Sequence, residues 1–292
     1  MRKNKKIITI LLVMFMILGI GVTKAVADEY LYKYKLVELD TTANIANEPI
    51  IGGKNYNLLM SIADENYVGY YADVDNNGTI DGLIFFDYVQ GADATAGFLG
   101  AGVNVASKNR EDLATYALKT VNGVDNVVVK TGDGDDRFYV IDLANRLPQS
   151  KDSAAYWYYS AYANTISNYA GLTSTAFGSG KSNTATMKAL WDAETYGAKN
   201  NRDIFTIETG DWFIPSKDEW SVLGSNLKKV AGSEDAYGSM SFPSGAKIGF
   251  SNIYWSSSIY SATNAWNAYF NYSRMYSDNF TNGSYVRLAS TF

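Results

Sequence analysis

Trp212-Phe213-Ile214-Pro215-Ser216-Lys217-Asp218-Glu219-Trp220 is the stretch of this 292-residue chain from which the rest can be ordered. Ser216 stands at the capping-box spacing from Glu219. Its hydroxyl can accept from the backbone N–H of Glu219 while the Glu219 carboxylate reaches back to the N–H of Ser216, satisfying two donors that a first helical turn leaves free. A helix is predicted to start there. Trp220, Leu223 and Leu227 then share one face and are expected in the core, and Lys228 and Lys229 fall where a helix C-terminus favours cations.

Working outward, the residues beyond this helix read as short strands. Strand alternation would turn Trp266, Ala268 and Phe270 inward and Asn267, Tyr269 and Asn271 outward. Upstream, Ala155, Tyr158, Tyr159, Tyr162 and Ile166 recur at helical spacing, as do Met187, Leu190 and Trp191, so two helices are predicted between residues 152 and 198. Residues 28–135 read as strands and turns, with Tyr30 to Val37 an exposed strand and Gly82-Leu83-Ile84-Phe85-Phe86 an apolar one. The pattern changes at Phe138-Tyr139-Val140-Ile141. Three segments are therefore expected: 1–27, a β-rich half over 28–135 that is either separate from the C-terminal half or continuous with it, and a ligand-binding domain over 136–292.

The first segment has the form of a signal peptide. Arg2, Lys3, Lys5 and Lys6 precede an apolar run from Ile7 to Val22, and Ala25-Val26-Ala27 supplies a small-residue cleavage pattern. The alternative is an uncleaved anchor, because the run approaches spanning length. Cleavage after Ala27 would remove 27 of 292 residues, including five of the 25 basic ones (Lys24 is the fifth) and none of the 30 acidic ones. The remaining 265 residues would carry 20 basic against 30 acidic side chains, a balance of −10. No basic cluster is left to neutralise phosphates, so nucleic acid is not an expected partner. The expected location is secreted or cell-surface associated, with no membrane span after cleavage.

The motifs carry a resemblance. The helix start at Trp212 to Trp220, then Tyr254-Trp255-Ser256-Ser257-Ser258, Ala265-Trp266 and Val286-Arg287, is similar to the C-terminal domain of many bacterial secreted proteins with a C-type-lectin-like fold, the fold shared by formylglycine-generating enzymes. Phe177-Gly178-Ser179-Gly180-Lys181-Ser182-Asn183-Thr184 extends the likeness over about the last half of the chain. It implies an α+β architecture of short antiparallel strands, about two to three helices and long loops. Within that family the chain resembles the variable proteins of diversity-generating retroelements, whose terminal segment is rewritten while the scaffold stays fixed. The resemblance implies ligand-contacting positions at the outward ones among Tyr260, Ser261, Asn264, Asn267, Tyr269, Asn271, Tyr272, Arg274, Tyr276, Asp278 and Phe280. Their composition agrees, because Tyr gives rigid amphipathic area and Ser and Asn give adaptable hydrogen bonds. Tyr269, Tyr272, Arg274 and Tyr276 are expected to dominate. Trp255 and Trp266 are expected to be buried.

Other candidate sites compete with plainer readings. Asp73, Asp75, Asn77 and Asp81 place oxygens as a calcium loop does, but Ile84 stands where a bidentate carboxylate belongs, and a polar β-turn has the same composition. Calcium is thus a possible cofactor and no other is expected. Gly178 to Ser182 contains Gly-Lys-Ser, yet Thr175 replaces the first glycine of a phosphate loop, so a turn and N-cap before a helix at Ala185 is expected. With no His and no Cys, triads, His-ligated zinc and the cysteine chemistry of formylglycine-generating enzymes are excluded. Asp133, Asp135, Asp136 and Asp142 leave a carboxylate-based hydrolase as one alternative. A calcium-dependent carbohydrate-binding adhesin is the other. The favoured expectation is a non-enzymatic binding protein for a protein or glycan.

Overall fold

In the computed structural model, side chains are described for residues 68–69, 72, 74, 81–94, 102–109, 112–113, 134–227, 249–250 and 253–292. The backbone alone is described at 36–38, 56–58, 71, 116–121, 124–130, 228–231, 240–241 and 247–248.

Strands β1 (Leu36–Glu38), β2 (Tyr56–Leu58), β3 (Tyr71–Ala72), β4 (Gly82–Asp87), β5 (Ala92–Asp93), β6 (Asn104–Val105), β7 (Tyr116–Val121), β8 (Val124–Lys130) and β9 (Phe138–Asp142) come first. Helices α1 (Tyr159–Asn164), α2 (Gly180–Asp192) and α3 (Lys217–Ala231) come next. Strands β10 (Met240–Ser241), β11 (Lys247–Ile248), β12 (Ile253–Ile259), β13 (Asn264–Tyr269), β14 (Arg274–Asn279) and β15 (Ala289–Thr291) complete the order. Every pairing between these strands is antiparallel, and with the helices this makes the described fold α+β. Among the described residues no helix is long and apolar enough to cross a membrane; residues 1–27 lie outside them.

The sheet that organises the core has the order β15-β9-β4-β3. β4 and β9 are buried along their whole length, because helix α3 covers one side and β15 closes the edge. The composition shift near residue 135 is crossed by the β4–β9 pairing. It is also crossed by a buried bidentate pair in which Arg137 Nε and Nη2 donate to Asp87 at 2.8 and 2.9 Å. Asn226 of α3 adds a third link by donating to the Phe85 carbonyl at 3.1 Å. These strands before residue 135 therefore belong to the same core as the C-terminal half.

Apolar side chains segregate into two clusters. One joins Leu83, Phe85 and Phe86 to Trp220, Leu223, Leu227, Phe250, Tyr254 and Phe270. The other joins Trp157, Met187, Trp191, Phe205, Trp255, Ile259, Ala265 and Phe280. The β12-β13-β14 sheet divides them, with Tyr254 and Ala268 in the first and Trp255 and Ala265 in the second.

Two helices do lie between residues 152 and 198, with different limits from those the spacing suggests. α1 has only six residues, and Tyr159 and Tyr162 are exposed. Ala155 and Tyr156 are instead extended, bridging Ser284 and Asp203, so the apparent helical spacing there spans a strand-like segment and a short turn of helix. α2 begins at Gly180, five residues before Ala185.

Candidate functional site

The capping box forms as the sequence implies. Glu219 Oε2 accepts from Ser216 N at 2.6 Å, and Ser216 Oγ accepts from Glu219 N at 3.2 Å. Glu219 is fully buried, and its Oε1 also accepts from Gly178 N and Gly180 N at 3.1 and 3.3 Å. The glycine loop that resembles a phosphate loop thus already holds a carboxyl group, supplied by the chain itself. Successive backbone N–H groups aimed at one point make such a cradle. Burial pushes the Glu219 carboxyl up to about 7, against the pull of these donors.

The Tyr-Trp-Ser-Ser-Ser segment completes the frame. β12 advances four residues from Trp255 to Ile259 while β13 advances two, from Asn267 to Ala265, so the serines bulge out of register. All three are buried. Ser258 Oγ accepts from Lys217 N at 3.1 Å, which caps α3 from a distant strand, and donates to the Ser174 carbonyl at 2.8 Å. Trp220 and Trp157 donate their indole N–H groups to the carbonyls of Trp255 and Ser256 at 3.1 and 2.9 Å. The scaffold under the C-terminal hairpin is held by polar groups with partners.

On that scaffold β14 is an outer strand of its sheet, and exposed aromatic side chains stand on it and on the turn that leads into it. Tyr272 is 63% exposed and Tyr276 51%. The guanidinium of Arg274 lies 5.4 Å from the Tyr272 ring and 5.3 Å from the Tyr276 ring, and the Tyr269 and Tyr272 rings meet edge-on at 4.6 Å. Tyr269 pairs directly with Arg274 in the register, so one face of the hairpin gathers Tyr269, Arg274 and Tyr276, with Tyr272 from the adjoining 3-10 turn. Asn271 is also exposed.

The remaining sequence-derived positions divide differently from the expectation. Tyr260 is exposed, and its ring meets Trp266 edge-on at 4.8 Å. Ser261, Asn264 and Asp278 are half-buried and engaged in turns: Ser261 Oγ accepts from Thr263 N, Asn264 Oδ1 from Thr263 Oγ1, and Asp278 Oδ1 from Asn279 N. Phe280 is not outward. It is fully buried and stacked 4.8 Å from Trp157. Asn267 is also buried, its Oδ1 lacking a hydrogen-bond partner among the described residues. Trp266, expected in the core, is half-buried beside Tyr260 and Lys217. Simple alternation fails because β13 is the middle strand between two cores, so Asn267, paired with buried Trp255, and Ala268, paired with buried Tyr254, are both covered.

The described carboxylates of the catalytic alternative each have a partner. Asp142 is tied to Arg146 and to Ala144 N, Asp136 accepts from Thr291 Oγ1, and Asp135 pairs with Lys108; Asp133 lies outside the described residues. Asp203 is buried and accepts from Tyr159 N, the Trp191 indole and Asn200 N, which places it as a tie between helices rather than a free acid. Of the calcium-loop residues only Asp81 is described, and it accepts from Val74 N at 2.7 Å; Asp73, Asp75 and Asn77 lie outside the described residues. Among the described residues no cluster of three or more acidic side chains could hold a metal ion.

Comparison with family models, with curated proteins and with solved structures finds no match to this chain.

Proposed function

We propose that this chain is an exported, non-enzymatic binding protein of C-type-lectin-like fold that contacts a protein or glycan through the outer face of the β13–β14 hairpin. The observation that carries the reading is the Arg274 guanidinium, on an outer strand, held between the exposed Tyr276 of that strand and the exposed Tyr272 of the turn before it. Tyr and Arg are the side chains that dominate interfaces, and a mutually ordered cluster loses less freedom on binding than isolated side chains would. The hairpin is anchored from behind by Ala268 and Phe270 and at the end of β14 by Phe280, so its outer side chains can vary without loosening the core. That division of labour suits a diversified terminal segment. The buried Asn267 amide oxygen of the same hairpin, without a partner among the described residues, supports the reading too, since positions that give up stability cluster at functional sites.

The test is a panel screen of the purified chain against printed glycans and extracellular protein domains, repeated with Tyr272, Arg274 and Tyr276 all changed to Ser. Binders lost by the variant with its fold intact support the reading. Binders retained by it place recognition elsewhere. Retroelement diversification is tested separately by looking beside the gene for a reverse transcriptase and a near-copy of the terminal coding segment.

A further inference from the structure

An open cavity of about 590 Å³ lies away from the hairpin, between residues 146–149 after β9, helix α2 and residues 205–208. Its volume falls within the range of small-molecule sites. Leu147 stands at the rim, 48% exposed, while Trp191, Phe205 and Ile207 form an apolar floor.

The charged groups on its walls are not equivalent. Lys188 is neutralised by both oxygens of Asp192, at 2.8 and 2.7 Å. Arg146 is fixed differently. Its Nε donates to Asp142, a buried carboxylate that is itself held by Ala144 N, so the guanidinium is oriented from one side. Neither Nη1 nor Nη2 of Arg146 has a hydrogen-bond partner among the described residues, and the side chain is half exposed into the cavity. A planar fork with two unengaged amino groups is the usual partner of a carboxylate. Glu208, also in the lining, has no cationic partner among the described residues and disfavours a second negative charge on the ligand.

We propose that this cavity is a binding site for a small monocarboxylate with an apolar or aromatic body, its carboxylate on the outer edge of the Arg146 guanidinium and its body over Leu147. The site is separate from the hairpin face and stands whether or not that face binds.

The experiment is a titration of the uniformly labelled chain with 3-phenylpropionate, monitored by amide shifts, with 3-phenylpropionamide as the uncharged control. Saturable shifts confined to residues 146–149 and 205–208 are expected, with a dissociation constant on the order of 1 mM. Arg146→Lys keeps a cation for Asp142 and removes the fork, so it should weaken binding by about tenfold. Glu208→Gln should tighten it by about twofold, by removing a like charge. Changing Tyr272, Arg274 and Tyr276 to Ser should leave it unaltered. Equal binding of the amide, an unchanged Arg146→Lys titration, shifts elsewhere, or no saturation up to about 20 mM would each overturn the proposal.

Discussion

Gly180 begins helix α2, and replacing it with alanine is the most informative single change in the scaffold. In an open helix this substitution raises stability by up to about 1 kcal/mol, because glycine has more backbone freedom to lose. Here a Cβ would stand 2.2 Å from Glu219 Oε2, 2.8 Å from Phe213 Cδ2 and 2.9 Å from the Ile214 carbonyl oxygen. Neither Glu219 nor Phe213 has room to retreat, since both are buried. Overpacking of this kind costs about 1–3 kcal/mol. Displacing the carboxyl group also weakens the bonds it accepts from Gly178, Gly180 and Ser216, each contributing about 0.5–1.5 kcal/mol. With the helix gain set against these, Gly180→Ala should destabilise the fold by about 2–5 kcal/mol. Urea unfolding measures it, with Gly171→Ala as control, because a Cβ there meets nothing within 4 Å. A Gly180→Ala protein as stable as the wild type would refute the cradle around Glu219.

The same carboxylate predicts a pH dependence. Its folded value of about 7 lies above its ordinary 4.5, so the folded protein holds a proton that the unfolded chain has lost. Stability should be fullest below about pH 4.5 and fall by about 3 kcal/mol as pH rises to about 7. Melts across this range should show that slope in the wild type and not in Glu219→Gln; equal slopes would remove the assignment. Ser216→Ala should cost about 1 kcal/mol through loss of the cap. Trp220→Ala, at a fully buried position, should cost about 3–5 kcal/mol, and thermal melts ranking the two in the opposite order would show that this helix face is not core. Phe280→Ala should likewise cost about 3–5 kcal/mol, whereas Tyr272→Ser and Tyr276→Ser should stay within about 0.5 kcal/mol each. A mild Phe280→Ala would mean that the stacking on Trp157 does not hold the hairpin.

What could be read from the sequence was local. The Ser216–Glu219 pair announces a helix start because both hydrogen bonds close within one turn. The apolar run at 82–86 announces a buried strand because every residue of β4 is covered. The rest depends on partners far along the chain. Glu219 takes its other donors from Gly178 and Gly180, about forty positions away, and the only hint is a Gly-x-Gly turn whose N–H groups need an acceptor. Ser258 caps a helix that starts 41 residues earlier, which no window of sequence contains. At the candidate site Tyr272, Arg274 and Tyr276 were legible as surface because they lie on the outer strand or the turn leading into it. Asn267, Trp266 and Phe280 were not, because their exposure is set by which side of the sheet each core occupies.

The most direct test of the account compares the wild-type chain with a protein in which Tyr269, Tyr272, Arg274 and Tyr276 are all changed to Ser, measuring binding to every glycan or protein domain that the wild type captures. Circular dichroism and melting are recorded on the same samples. Loss of that binding is expected, with an unchanged spectrum and a stability change of no more than about 2 kcal/mol over the four sites. Retained binding by a folded variant, or collapse of the fold itself, would contradict it.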